Sequence, residues 1–311
     1  MRIVITGANS ACGQAILRCA PEAGVARDAL VAVVRSDPAA DAIRPLLGEG
    51  SLATISYNDP GSLDAAFRGS CAIIHLAGIL VERPGSTYEQ ANVAPTRRVV
   101  EAAKRCAVQK FVLVSATGAD DKSLNAYYRT KGQGEAIVRS SGLCYTILRA
   151  PLLLGPATEG AAALARNARG PKARLIGGGR NFQQPLDVDD LARAALAAAQ
   201  PSVASNRILD LVGPVSLPER ELVERAARTL GHEVRVSSIP KGLLSFALAI
   251  RQLVAGPGFS PDVVQVITAN TRLDWRPAAS ELGVRLTGVD EMIKKSLEQD
   301  RKKWTRVAKR P

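Results

Sequence analysis

The 311-residue chain has little of what marks several classes of function. Aromatic residues make up only 4% of it, and histidine occurs twice. That leaves little material for the base-stacking platforms of single-strand nucleic-acid binders. The net charge is +12 and the pI about 9.8, yet Arg and Lys are scattered along the chain, with one dense cluster in the terminal "RKKWTRVAKRP". Nucleic acid is therefore set aside as a partner. The five cysteines (Cys12, Cys19, Cys71, Cys106, Cys144) form no Cys-x-x-Cys pair. An odd, unpaired set argues against a disulfide framework and a zinc site, and for a reducing compartment. No apolar run approaches the ~20 residues of a membrane span. The longest, "GLLSFALAIRQLVAG" at 242–256, is short and contains Arg251. "RIVITG" follows Met1 directly and leaves no room for a signal peptide before it, so the protein is expected in the cytoplasm.

What is present is an alternation. Apolar runs at 2–6, 30–35, 52–56, 72–77, 110–115 and 144–149 are separated by Ala-, Leu- and Arg-rich stretches. The runs are continuous rather than alternating, as in strands buried on both faces of a parallel sheet. Helical patterns fall at 93–107 and 126–141, and "RILDLV" near 206–211 reads as one more strand at the sheet edge. The fold class is α/β, a doubly wound parallel sheet with a smaller, mostly helical C-terminal lobe. Residues 1–150 plus about 185–212 are expected to form the sheet domain, and 151–184 plus 213–311 the smaller lobe. Helices are expected there at 216–230, 241–255, 259–270 and 289–306.

The first strand runs into "VITGANSACGQAIL", a glycine turn with its middle glycine missing. A strand-to-helix turn binds phosphate through a tight bend, close backbone approach and free helix N–H groups. Gly7 and Gly13 suit the first two needs, and the Ser10 hydroxyl could donate to a phosphate oxygen. Gly7, Asn9, Ser10, Ala11, Cys12 and Gly13 form the candidate phosphate-binding set. The second strand ends in "VVRSD", without the immediate acid that would bind the ribose hydroxyls of NAD. Arg35 and Ser36 instead suit a 2′-phosphate, which makes NADP(H) the preferred cofactor and NAD(H) the alternative. A solvated arginine at a strand end is the plainer reading of Arg35.

In "AYYRTKGQGEAIV", Tyr127 and Lys131 are four residues apart and share a helix face. A nearby ammonium favours the phenolate of a tyrosine whose ordinary pKa is near 10. A third partner, a hydroxyl to polarise a substrate carbonyl, is offered at the end of the fifth strand by Ser115 and Thr117.

These stretches, with "IIHLAG", "NVAPTRRVVEAA", "ILRAPLLLGP" and "QPLDVDDLARA", resemble short-chain dehydrogenase/reductases of the extended or atypical type. That group has a Rossmann fold and is often labelled NAD-dependent epimerase/dehydratase. Within it, "YYRTKGQGEAIVRSSGLCYTILR" and "QPLDVDDLA" are most similar to bacterial relatives of the nucleotide-binding accessory subunit of respiratory complex I. The resemblance implies Tyr127 as general acid/base, Lys131 as its pKa-lowering and ribose-binding partner, and Thr117 rather than Ser115 at the carbonyl-polarising position. It places Tyr57 beside the adenine, Ser56 where an adenine-contacting Asp is usual, and Ala77 and Gly78 along the cofactor. Arg149, Ala150 and Pro151 would approach the nicotinamide. Pro95 departs from a common glycine, and the short spacing from Thr117 to Tyr127 argues against a large sugar-nucleotide substrate. The implied activity is NADP(H)-dependent oxidation or reduction of an unidentified small molecule. The alternative is a non-catalytic NADP(H)-binding accessory, assembly or redox-sensing protein. A monomer or homodimer is expected.

His75, inside an apolar strand, reads as a buried structural residue, and His232 as a surface turn residue. Asp187, Asp189 and Asp190 read as helix-starting acids rather than metal ligands. For 242–256 the favoured reading is packing against the second lobe, with a substrate lid, an oligomer contact and peripheral membrane contact as alternatives.

Overall fold

A computed structural model describes residues 1–76 and 78–307, apart from the side chains of 253–255 and 299–307. Its elements run β1 (Ile3–Thr6), α1 (Ala11–Cys19), β2 (Leu30–Val34), α2 (Asp37–Leu47), β3 (Ser51–Thr54), α3 (Pro60–Phe67), β4 (Ala72–His75), α4 (Ala94–Arg105), β5 (Lys110–Ala116), α5 (Ala126–Arg139) and β6 (Cys144–Ala150). There follow β7 (Leu153–Leu154), α6 (Glu159–Ala168), β8 (Lys172–Ile176), β9 (Phe182–Gln183), β10 (Leu186–Asp187), α7 (Val188–Ala198) and β11 (Arg207–Asp210). The chain ends with β12 (Leu217–Pro218), α8 (Glu219–Thr229), β13 (Arg235–Ile239), α9 (Lys241–Ala255), α10 (Pro261–Ile267), α11 (Arg276–Leu282) and α12 (Val289–Val307).

Seven strands make one parallel sheet in the order β11-β6-β5-β4-β1-β2-β3. Each of the seven was expected from its apolar run. β1, β2 and β4 are buried at every position, which only a strand covered on both faces requires. Val4, Val31, Ile73, Phe111 and Ile147 from the sheet pack with Phe67, Val99 and Val138 from the helices in one core. The order reverses between β1 and β4, and ligands of open α/β sheets bind at the carboxyl ends of the strands at such a switch point.

The chain divides into two compact units: Met1–Ala150, Asp189–Leu211 and Arg276–Arg285 in the first, the remainder in the second. The first unit thus takes back α11, which the sequence reading had left in the smaller lobe. Arg207 of β11 pairs with Glu281 of α11 at 3.2 Å, one tie that brings that helix home. The second unit is less purely helical than expected. β8 and β13 pair in parallel over five residues each, beside two short ladders, β7 with β10 and β9 with β12. Its own core gathers Leu164, Leu175, Leu222, Val223, Met292 and Ile293.

α9 meets the favoured reading of its segment only in part: it belongs to the second unit but is not sunk into it. None of its described side chains is buried, and Leu243, Phe246 and Ile250 are 68%, 66% and 48% exposed. Length and apolarity had pointed inward, but the helix lays only part of its surface on its neighbour.

Candidate functional site

The glycine turn is built as a dinucleotide turn even without its middle glycine. Gly7 takes φ +73°, and a Cβ on Gly13 would fall 2.4 Å from the Ala8 carbonyl oxygen, so no larger residue fits there. Ser10 sits at φ −67° and ψ 163°, extended backbone open to any residue. The missing glycine is therefore not a conformational defect. Its hydroxyl caps α1 by accepting from the Gly13 N–H at 3.1 Å, and its own proton remains for a phosphate oxygen. Gln14 N–H bonds the Ser10 carbonyl, which leaves the Ala11 and Cys12 N–H groups without partners inside the helix. This is a cradle for an anion at a helix N-terminus that the residues present fit. Asn9 is exposed, its carbonyl accepting from Gln14 Nε2. Burial pushes the Cys12 thiol up to about 11.

Arg35 and Ser36 are exposed where β2 runs into α2. Tyr57 lies in the turn after β3; burial raises its phenol and the Arg35 guanidinium opposes that rise, so the two share one end of the site. Ser56 is occupied locally, its hydroxyl accepting from Asn58 N–H. Ala77 lies outside the described residues. A Cβ on Gly78 would stand 3.2 Å from Asn92 Oδ1 and 3.4 Å from Lys131 Nζ, which brings three distant segments together.

The α5 end of the site rests on a second close approach. A Cβ on Gly132 would lie 2.2 Å from Asp121 N, so glycine inside this helix lets the loop after β5 press against it. Asp120 N–H bonds the Tyr128 carbonyl there. Thr117 heads that loop, its N–H on the Ala150 carbonyl at 3.0 Å. Its hydroxyl is buried and has no hydrogen-bond partner among the described residues. Tyr127 lies against Tyr88 and Tyr128 with ring centroids 6.0 and 5.7 Å apart, so three of the chain's five tyrosines gather here.

The expected lowering of Tyr127 by Lys131 does not hold in the free protein. Burial, with Tyr128 and Tyr88 adding to it, drives the phenol up, so it is protonated at neutral pH. The Lys131 ammonium instead donates to the Val114 carbonyl at 3.0 Å. Burial lowers its pKa to about 8, against the pull of Glu135 and Cys12.

Two other expectations are corrected. Ser115 donates to Glu135 Oε1 at 2.6 Å and is buried, so its hydroxyl is engaged away from any substrate. The Arg149 guanidinium is engaged within the protein, its Nε and Nη2 gripping both oxygens of Glu135 at 2.9 and 2.6 Å. Ser115 and Arg149 are directly paired across β5 and β6, so the ladder itself converges them on Glu135. Pro151 belongs to the second unit.

Asn92 and His75 support the site from below. Asn92, on a π-helical turn before α4, accepts from Ile79 N–H at 2.9 Å and donates to Thr130 Oγ1 at 3.1 Å. Such turns recur at functional sites, but no periodicity in the sequence announces one. His75 is fully buried, with Thr6 Oγ1 2.6 Å from Nδ1 and Thr96 Oγ1 3.2 Å from Nε2. Thr96 donates onward to the Asn92 carbonyl, so His75 carries its proton on Nε2. Burial and the nearby Lys131 charge bring its pKa down to about 3, and it is the neutral structural residue expected. Asp187, Asp189 and Asp190 are each taken by a different cation: Lys295, Arg18 and Arg193.

Taken together, the switch-point turn and the Thr117–Tyr127–Lys131 end define a nucleotide-binding Rossmann protein of the reductase and epimerase type. Residues 7–199 match the family model described as NAD(P)H-binding, and the chain belongs to that family. A ceramide reductase of Caulobacter vibrioides is 27% identical over 283 residues, covering 90% of this chain and 87% of that one. The 40 kDa subunit of mitochondrial NADH-ubiquinone oxidoreductase from Neurospora crassa is 23% identical, covering 70% of this chain and 58% of that one. Among solved structures, the NADPH complex of the quinone oxidoreductase QOR2 from Escherichia coli matches with a TM-score of 0.73 at 19% identity, over 94% of this chain and 98% of that one. The last likeness speaks to the fold.

Proposed function

We propose that the protein is an NADP(H)-dependent oxidoreductase acting on a carbonyl or hydroxyl group of a small molecule. The observation that carries this reading is the Thr117 hydroxyl, buried at the head of the loop beside α5 with no partner among the described residues. An unsatisfied buried hydroxyl costs about 1–3 kcal/mol, a strain that a substrate oxygen would relieve. When bound, the nicotinamide supplies or accepts a hydride at the substrate carbon. Thr117 holds the substrate oxygen, and Tyr127, kept protonated by burial, delivers a proton to that oxygen in the direction of reduction. Lys131, charged below its pKa of about 8, is placed beside Gly78 to hold a ribose hydroxyl. Arg35 and Ser36 take the 2′-phosphate, which favours NADP(H) over NAD(H).

A second reading has its own support. The Lys131 ammonium donates to a backbone carbonyl rather than serving Tyr127. That arrangement, with the similarity to a respiratory complex subunit, fits a protein that binds NADP(H) without turning over substrate. Titration with NADPH and NADH, followed by a carbonyl panel on the parent and Tyr127→Phe, separates the two. Tyr127→Phe is expected to lower turnover roughly 10²–10⁴-fold with NADPH affinity unchanged. Full activity in that variant would end the catalytic role; tight NADPH binding with no turnover in the parent would favour the second reading.

A further inference from the structure

α9 presents a surface that the site does not use. Leu243, Phe246 and Ile250 repeat at the spacing of one helical face and stand open to solvent. With Val215, Phe259 and Leu273 they make up six of the chain's eight exposed large hydrophobics, all in the second unit, among the described residues. A row of large apolar side chains left open along one helix face marks a surface with a partner.

Charge identifies the occupant. From residue 234 to 261 the sequence contains no Asp or Glu, while Arg235, Lys241 and Arg251 are all cationic. Lys241 starts the helix and Arg251 lies one residue past Ile250, both exposed, so a cation stands at each end of the apolar row. A second copy of the same cationic segment would be repelled by it, whereas an anionic lipid surface is attracted. No helix is long and apolar enough to cross a membrane among the described residues. α9, at 15 residues, spans about 22 Å against a hydrocarbon core of about 30 Å. A helix of this kind lies in the interface, with its apolar side chains in the acyl boundary and its cations at the headgroups.

We propose that α9 docks the protein peripherally on an anionic lipid bilayer, with Leu243, Phe246 and Ile250 inserted and Lys241 and Arg251 on the headgroups. This goes beyond the oxidoreductase reading and does not depend on it.

The test is flotation of the full-length protein with vesicles of phosphatidylcholine alone, or with about one-third phosphatidylglycerol. Binding is expected to the anionic vesicles, weaker in high salt, and at least roughly tenfold weaker for Leu243→Ser/Phe246→Ser/Ile250→Ser. Lys241→Glu/Arg251→Glu should weaken it as well. Phe246→Trp gives a direct reporter, with emission expected to shift to the blue on anionic vesicles only. NADPH affinity serves as the folding control. Unchanged binding by the triple variant would overturn the proposal and assign any attraction to other basic segments. Failure of the parent to float would also overturn it. If such a parent sedimented as a dimer that Phe246→Ser dissociates, the face would belong to a second copy.

Discussion

Ser115 and Thr117 are two residues apart at the end of one strand, and their hydroxyls are treated in opposite ways. Ser115 donates to a carboxylate that also holds a bidentate arginine, so every group in that cluster has a partner. Thr117 is buried with none among the described residues. The first arrangement stabilises: Glu135 ties α5 to β5 and β6 and fixes the helix that carries Tyr127 and Lys131. The second is costly in the free protein and is tolerated where a ligand atom completes it. Satisfied polar groups here mark the frame, and under the proposed function the unsatisfied Thr117 hydroxyl is the one a substrate oxygen would complete.

The largest effect should come from breaking the frame. Glu135→Ala leaves Arg149 without its carboxylate, and a loss of about 3–5 kcal/mol is expected, read as a lower urea midpoint. NADPH binding by whatever remains folded would show whether the frame serves stability alone. His75, in the same frame, should make acid costly. Its folded pKa of about 3 lies below the ordinary 6.5. Between those values the unfolded chain binds a proton that the folded protein does not. Stability should therefore fall as pH drops through that window, by up to roughly 1.4 kcal/mol per unit. Unfolding midpoints at pH 7 and pH 5 should differ less for His75→Gln than for the parent; equal differences would break the assignment.

The finest test sets the two hydroxyls against each other. Ser115→Ala should destabilise by about 1.5–3 kcal/mol, since the bond it removes is to a charged group. Thr117→Val removes the unpartnered hydroxyl, so it should leave stability unchanged or raise it, by up to about 1–3 kcal/mol, while lowering turnover sharply. A Thr117→Val protein that melts early but works normally would invert the comparison.

Much of the frame was legible in the sequence. The inner strands announce themselves most clearly: in β1, β2 and β4 burial on both faces leaves no exposed position to blur the apolar run, whereas the edge strands β3 and β11 are half-exposed and carry polar residues. Type and spacing point to the glycine turn and the Tyr127–Lys131 pair, whereas only the family resemblance prefers Thr117 to Ser115. The Ser115–Glu135–Arg149 cluster could not be found this way, since it depends on the register of β5 against β6, which no local pattern encodes. Glu135 and Lys131, four residues apart on α5, turn to different partners, the first to Ser115 and Arg149 and the second to the Val114 carbonyl. α9 is only half legible for the converse reason: its composition speaks of burial, and only the packing shows that the face of Leu243, Phe246 and Ile250 is left uncovered.

The order of the sheet also sets a timetable. β6 ends at Ala150, but its neighbour β11 ends at Asp210, about sixty residues later. At roughly 5–20 residues per second of synthesis, that is about 3–12 s in which β6, an inner strand of the finished sheet, stands as its edge. An open strand edge is a template for any passing chain, so the nascent protein is most exposed to misassociation after β6 has joined the sheet and before β11 covers it. A fragment cut at residue 150 would hold that vulnerable moment permanently.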